Sequence, residues 1–230
     1  MDFARIIQIY FVQGGVALFY LYMAYIVLKR GRKPLHIYLS SFYLSTTIGA
    51  IINMIYAIIF DPTIVYIMHF LTYYLFCFSM VFLLIFVLIL VKPAKKIKFK
   101  LQLAIMIIFG VLIFGLLLFP SGIVINETTN WKPDWSWSFF IYSIVVCTSI
   151  VILPTLYYSI RIYIKFENEF LKKKWKYFLI GICAYFFIYY GTSFSNTLND
   201  DTFRFIWSLI SLPTLISLYL IYHGVGRQLE

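Results

Sequence analysis

The longest apolar run in the sequence, residues 64–91, reads IVYIMHFLTYYLFCFSMVFLLIFVLILV and contains no Asp, Glu, Lys or Arg. About 20 consecutive apolar residues suffice for a helix that crosses a bilayer, so this run predicts a membrane-spanning helix. Six further apolar runs flank it, at residues 6–28, 35–60, 101–119, 138–160, 177–198 and 205–222. Strands of a membrane barrel would be shorter and would alternate in polarity. The sequence therefore predicts an all-α membrane protein with one domain, a bundle of seven transmembrane helices.

The composition supports this fold class and argues against most soluble functions. Hydrophobic residues make up 63% of the 230 residues and charged residues 12%, whereas soluble chains are about half apolar and a quarter charged. Seven spans leave too little chain for a folded domain outside the bilayer. A soluble enzyme, a nucleic-acid-binding protein and a fibrous protein are therefore all poor interpretations, despite the net charge of +10.

The distribution of basic residues predicts the orientation of the bundle. The linkers after predicted helices one, three and five and the C-terminal tail carry 16 Lys and Arg residues, and the opposite side carries only Arg5, Lys132 and Arg204. Basic loops stay in the cytoplasm, so we expect an outside N-terminus and a cytoplasmic C-terminus in a multi-pass protein of the cell membrane. The basic loops would also attract anionic lipid headgroups.

Charged residues are missing from the predicted spans, which argues against several kinds of membrane protein. All nine acidic residues lie in loops or tails, no Lys or Arg lies in the middle of a span, and helix seven has no Lys. Intramembrane charges mark proton relays, ion sites and counter-ions, so a proton-coupled transporter, a pump, a voltage sensor and a retinal protein are all disfavoured.

Neither a catalytic group nor a metal site is predicted. His36, His69 and His223 lie on different helices without acidic partners, unlike the ligands of a membrane metalloprotease. The cysteines all lie inside apolar runs, where we expect them to be packing residues: Cys77, Cys147 and Cys183. We therefore expect no enzymatic activity and no cofactor.

Four polar or amphipathic residues form the candidate ligand-binding site: Asn53, His69, Asn196 and Trp207. Each lies one to two turns from the outer end of its predicted span, so all four fall at the same depth in the outer half of the bilayer. We expect a cavity that is neutral, because His69 is the only acid or base within reach. The alternative is that these side chains only hydrogen-bond neighbouring helices, as polar residues in membranes commonly do.

The predicted outer loop between helices four and five carries two further features. Asn126-Glu127-Thr128 is an N-glycosylation sequon, and the predicted topology places Asn126 on the side where glycans are added. The aromatic stretch at residues 131–137, WKPDWSW, fits a collar at the membrane interface or, alternatively, a lid over the cavity.

Two prolines interrupt predicted spans, Pro154 in helix five and Pro213 in helix seven. Proline inside a helix removes one hydrogen bond and bends the helix axis. We expect a bend at each position, which serves either as a hinge or as a fixed shape that improves packing.

Two stretches carry a resemblance to a known family. Residues 167–181, ENEFLKKKWKYFLIG, form a polar linker that becomes a basic run and then helix six, and residues 212–227, LPTLISLYLIYHGVGR, form a proline-bearing last helix with a short basic exit. Together with seven helices and an outside N-terminus, this pattern resembles the N-terminal seven-helix sensory region of membrane histidine kinases. The resemblance implies a sensory function.

The kinase module that follows the last helix in that family is not in this sequence. The expectation is therefore a free-standing receptor-like sensor that binds a small neutral or lipid-like ligand and signals through a separate cytoplasmic protein. His223 inherits no phosphorylation role. Two alternatives remain open, a carrier or channel for an uncharged solute or lipid and a structural or assembly membrane protein.

Overall fold

A computed structural model describes residues 6–91, 97–211 and 214–225, and most of them are helical. The apolar runs form helices because a helix satisfies its own backbone hydrogen bonds where no water is present. A π-helical turn, Ile7–Gln13, leads into the first α-helix. The α-helices are α1 Gly14–Arg30, α2 Pro34–Tyr56, α3 Pro62–Val91, α4 Phe99–Phe114, α5 Trp137–Cys147, α6 Leu153–Lys165, α7 Glu169–Leu198, α8 Asp201–Ser211 and α9 Thr214–Gly224.

Within the described part of the chain, six helices are long and apolar enough to cross a membrane. They are Ile9–Arg30, Pro34–Tyr56, Pro62–Val91, Phe99–Leu118, Trp137–Lys165 and Glu169–Leu198. The predicted seventh span, residues 205–222, falls instead on two shorter helices, α8 and α9. Residues 212 and 213 between them, and with them the predicted bend at Pro213, lie outside the described residues. The structure is therefore an all-α bundle typical of a multi-pass membrane protein, in which a seventh span stays a prediction.

Local sequence signals account for several helix ends. Asp61 Oδ1 accepts a hydrogen bond from the backbone N–H of Ile64 at 2.9 Å and so opens α3. Asn168 caps α7 by accepting from the N–H groups of Phe170 and Leu171. Because this cap precedes the basic run, α7 begins at Glu169 and not at residue 177, as predicted. Asn199 ends the same helix in the left-handed conformation, at φ 50°.

Pro154 lies directly after a widened turn of its span. Residues Thr148–Ile152 form a π-helical turn between α5 and α6, and the helix continues through Lys165. A π turn displaces the backbone hydrogen bonds by one residue, which accommodates a proline that cannot donate one. The predicted interruption at Pro154 thus takes the form of a wide turn inside one continuous span.

The helices pack around α3, which contacts α2, α4 and α6. Its residues Leu83, Ile85, Phe86 and Val87 are at most 1% exposed, so this helix is buried on most of its circumference. Helices α1, α2 and α3 pack in sequence, and α9 packs along α7. Large apolar side chains are exposed on the outside of the bundle, among them Leu18, Val111 and Ile164, as a lipid-facing surface requires.

The bundle has two chemically different ends. The basic end carries residues 31–33, 97–98 and 166–168, and the cavity end carries residues 57–61, 119–136 and 199–200. The loop of residues 119–136, called the cavity loop below, contains the strands β1 Ile123–Val124 and β2 Asp134–Trp135, which pair antiparallel. This short two-stranded sheet is not part of the all-α prediction, because two-residue strands leave no recognisable alternation in the sequence.

Candidate functional site

A cavity of about 450 Å³ lies at the cavity end, where α2, α3, α7, α8 and the cavity loop meet. It is called the polar cavity below. Asn53, His69, Asn196 and Trp207, the four residues of the predicted site, all line it. They converge because each lies within about two turns of the same end of the bundle on helices that surround one space. That this space binds a ligand stays a prediction.

His69 is held at the centre of a hydrogen-bonded chain. Trp135 Nε1 donates to His69 Nε2 at 3.2 Å, and His69 Nδ1 lies 2.7 Å from the hydroxyl of Tyr56. An indole N–H can only donate, so Nε2 is the acceptor, and a neutral ring then carries its hydrogen on Nδ1, facing Tyr56. The chain joins the cavity loop to α3 and α2, and His69 is only 6% exposed.

Asn53 links the first two helices of the bundle. Its side-chain amide donates a hydrogen bond to Oε1 of Gln13, the last residue of the π-helical turn before α1. Gln13 also lines the polar cavity. This pair is an interhelical hydrogen bond of the kind that the alternative interpretation proposed, although it borders a cavity. The side chain of Gln8 lies outside the described residues.

Trp207 packs face to backbone against α7. A methyl group built at Gly191 would lie 2.0 Å from Cη2 of Trp207, so residue 191 has to be glycine for the indole to lie where it does. Trp207 Nε1 donates to Thr192 Oγ1 at 3.1 Å, and the residue is 6% exposed. The tryptophan is therefore a fixed wall of the cavity and not an anchor at the membrane interface.

Two polar groups in the cavity wall lack a hydrogen-bond partner among the residues that the structure describes. One is Thr72 Oγ1, whose residue is 3% exposed. The other is the side-chain amide of the half-buried Asn196. Buried polar groups are nearly always hydrogen-bonded, so both are available to water or a ligand.

The predicted neutrality of the cavity is wrong, because three charged residues line it: Lys132, Asp201 and Arg204. Lys132 Nζ lies 2.7 Å from Asp201 Oδ1, and Arg204 Nη2 donates to the carbonyl oxygen of Pro133 at 2.6 Å. The prediction treated these residues as parts of distant loops, whereas the cavity loop folds back over the bundle. A signal was present, since Lys132 and Arg204 are two of the few basic residues on the acidic side of the charge asymmetry.

The aromatic stretch 131–137 divides between the two roles proposed for it. Trp135 is 3% exposed, lines the cavity and packs against Tyr73 with ring centroids 4.7 Å apart. Trp137 is 53% exposed, as a residue at the membrane interface would be. The cavity loop thus contributes a wall to the polar cavity through Pro133 and Trp135.

The candidate glycosylation site and the cysteines lie away from the cavity. Asn126 caps a short 3₁₀ turn, Glu127–Thr129, by accepting hydrogen bonds from the N–H groups of Thr128 and Thr129. Its glycosylation stays a prediction. Among the described residues, no group of three or more His, Cys, Asp or Glu side chains is close enough to hold a metal ion. Comparisons with protein-family models, curated proteins and solved structures found no match for this chain.

Proposed function

We propose that this protein is a non-enzymatic, receptor-like membrane protein that binds a small lipid-like molecule in the polar cavity and signals through a separate cytoplasmic protein. The observation that carries the proposal is the cavity itself. Its volume of about 450 Å³ lies in the range of small-molecule sites. Thr72 and Asn196 offer it polar groups that the described protein does not use.

The lining of the cavity favours a ligand with an apolar body and one polar group. Tyr73, Phe76 and Trp207 provide aromatic walls, and the charged residues lie at the rim. Lys132 and Arg204 together outweigh Asp201 by one positive charge, counted from their ordinary ionisation states. A polar group that is neutral or carries a single negative charge therefore suits the rim better than a cation.

The proposed topology has seven spans, with α8 and α9 together forming the last one. The N-terminus then lies outside and the basic end faces the cytoplasm, as the positive-inside rule favours. In this orientation the polar cavity opens toward the outside of the cell.

The last two helices offer a route from the cavity to the basic end. Helix α8 carries Arg204 and Trp207 at the cavity, and α9 follows it in the chain. At the basic end α9 lies against α7 so closely that a methyl group on Gly224 would be 2.5 Å from the backbone nitrogen of Phe178. A ligand with different affinities for two positions of α8 would therefore change how α9 meets the basic end.

The test is to purify the protein from its native membrane and identify small molecules that remain bound by native mass spectrometry. We expect a bound amphipathic molecule in the wild type and its loss in Asn196→Trp, which fills the cavity. Leu198→Trp is the matched control, because Leu198 lies on the same helix, is 38% exposed and does not line the cavity. A wild type without any bound molecule, or a molecule retained in Asn196→Trp, would contradict the proposal.

The two alternatives predict different outcomes of related experiments. A carrier would move the identified molecule across the membrane of proteoliposomes, whereas a receptor would bind it without net flux. A structural or assembly protein would show neither binding nor flux, and its cavity-filling variant would behave as the wild type in both measurements.

A further inference from the structure

A second space lies deeper in the bundle and adjoins the polar cavity. This inner chamber measures about 180 Å³ and shares Gln13, Tyr73, Phe76, Thr192 and Trp207 with the polar cavity. Met80 lines it, and Met80 lies eleven residues beyond His69 along α3, which corresponds to roughly 16 Å of helix. The two spaces together therefore extend from the cavity end toward the middle of the bundle.

The inner chamber is mainly apolar. Val12, Val16, Ala50, Met80 and Ile188 line it together with aromatic side chains. Apolar groups gain free energy by leaving water for such surroundings. The apolar part of a ligand whose polar group lies in the polar cavity would therefore enter this chamber.

Two hydroxyl groups in the chamber wall make it more selective than an apolar pocket. Tyr20 is 0% exposed and Ser193 is 1% exposed, and neither hydroxyl has a hydrogen-bond partner among the described residues. Other hydroxyls in the same wall are satisfied, since the Tyr185 hydroxyl lies 2.7 Å from Ser79 Oγ and Tyr189 bonds to Ser143. A buried hydroxyl without a partner is costly, so Tyr20 and Ser193 mark a place where a polar atom of a ligand is missing.

We propose that the inner chamber binds the apolar chain of an amphipathic ligand and that Tyr20 and Ser193 hydrogen-bond an oxygen atom carried on that chain. The ligand class is thus a single-chain amphiphile with two polar ends, one at the charged rim and one deep in the bundle. This inference rests on the proposed function, because it uses the polar cavity as the entrance. It adds a second recognition site, with its own selectivity, to the first.

The test compares three probe acids on the full-length protein in phosphatidylcholine nanodiscs: hexanoic acid, dodecanoic acid and ω-hydroxydodecanoic acid. Binding is measured by competition with radiolabelled ω-hydroxydodecanoic acid. We expect the hydroxylated long acid to bind at least about fivefold more tightly than dodecanoic acid, the factor that about one net hydrogen bond provides. Hexanoic acid, which reaches only the polar cavity, should compete weakly.

Three variants assign the preference to the chamber. Tyr20→Phe and Ser193→Ala should each reduce the preference for the hydroxylated acid toward one. Tyr43→Phe should not change it, although Tyr43 also has a fully buried hydroxyl without a described partner, because Tyr43 does not line the chamber. Comparing variant with wild type cancels the different partition of each acid into the lipid.

A chamber-filling variant separates this inference from the proposed function. Ala50→Leu should weaken both long acids and leave hexanoic acid unchanged. Equal binding of the two long acids in the wild type, or a preference that survives Tyr20→Phe, overturns the inference. If the long acids also ignore Ala50→Leu but are lost in Asn196→Trp, the polar cavity alone is the site. Binding that survives Asn196→Trp, or no binding of any probe, overturns both proposals.

Discussion

Gly191 and Trp207 show how a single residue determines the shape of the polar cavity. The indole of Trp207 occupies the space that a side chain at position 191 would need. The same indole borders both the polar cavity and the inner chamber. Any side chain at position 191 therefore changes the two spaces at once by displacing their common wall.

We expect Gly191→Ala to lower the free energy of unfolding by about 1–3 kcal/mol, the usual cost of overpacking a buried contact. The displaced indole would also lose its hydrogen bond to Thr192. Unfolding in a titration with sodium dodecyl sulfate measures the change. Gly15→Ala is the control, since a methyl group there meets no atom within 4 Å. Equal effects of the two substitutions would show that Trp207 does not lie against Gly191.

The chain from Tyr56 through His69 to Trp135 is the second feature at this scale. Because His69 bonds to both neighbours, we expect Tyr56→Phe and His69→Leu to be non-additive. Their coupling energy in a double-mutant cycle should be about 0.5–1.5 kcal/mol, the net value of one hydrogen bond. Unfolding of the two single variants and the double variant measures it. A coupling energy near zero would argue that the hydroxyl and the imidazole do not interact.

At the scale of elements, the cavity loop is fastened to the α7–α8 turn by three polar contacts. Lys132 pairs with Asp201, Arg204 donates to the carbonyl of Pro133, and Asn199 Nδ2 donates to Asp134 Oδ2 at 3.0 Å. These contacts differ in burial, since the Asp201 side chain is 79% exposed and Arg204 is half-buried. Exposed ion pairs contribute little to stability, so the arginine should matter most.

We expect Arg204→Met to loosen the cavity loop and Asp201→Asn to leave it nearly unchanged. The readout is hydrogen exchange at the backbone N–H of Ser136, which donates to the carbonyl of Gly122 at 3.0 Å inside the loop. Exchange there should become at least about tenfold faster in Arg204→Met, which corresponds to a loss of 1.4 kcal/mol. Faster exchange in Asp201→Asn than in Arg204→Met would reverse this ranking.

The elements that depend on local sequence were predictable, and those that depend on long-range folding were not. Helix α3 follows from an uninterrupted apolar run, and the depth of Asn53 and His69 follows from residue counts along their helices. The charged rim does not follow, because Lys132 reaches the cavity only when residues 119–136 fold back across the bundle. Helix α8 begins at Asp201, four residues before the predicted start, because a polar first turn leaves no trace in an apolar pattern.

At the scale of the whole molecule, the orientation in the bilayer is the prediction with the widest consequences. Exposed residues at opposite ends can be compared in a variant that lacks the native cysteines. We expect Glu127→Cys, in the cavity loop, to react with a membrane-impermeant maleimide on intact cells. Glu167→Cys, between α6 and α7 at the basic end, should react only after the membrane is permeabilised. The opposite labelling pattern would invert the topology and place the polar cavity in the cytoplasm.

The π turn Thr148–Ile152 fixes the number of residues in its span. Such a turn contains one residue more than an α-helix needs for the same length of axis. Deleting one residue there would restore regular α-helical geometry and rotate everything that follows by about 100°, the angle of one residue. Thr155 and Ser159, both 0% exposed, would then leave the interior. A one-residue deletion in this span would therefore do more damage than most substitutions, because it changes the angular phase of a whole helix.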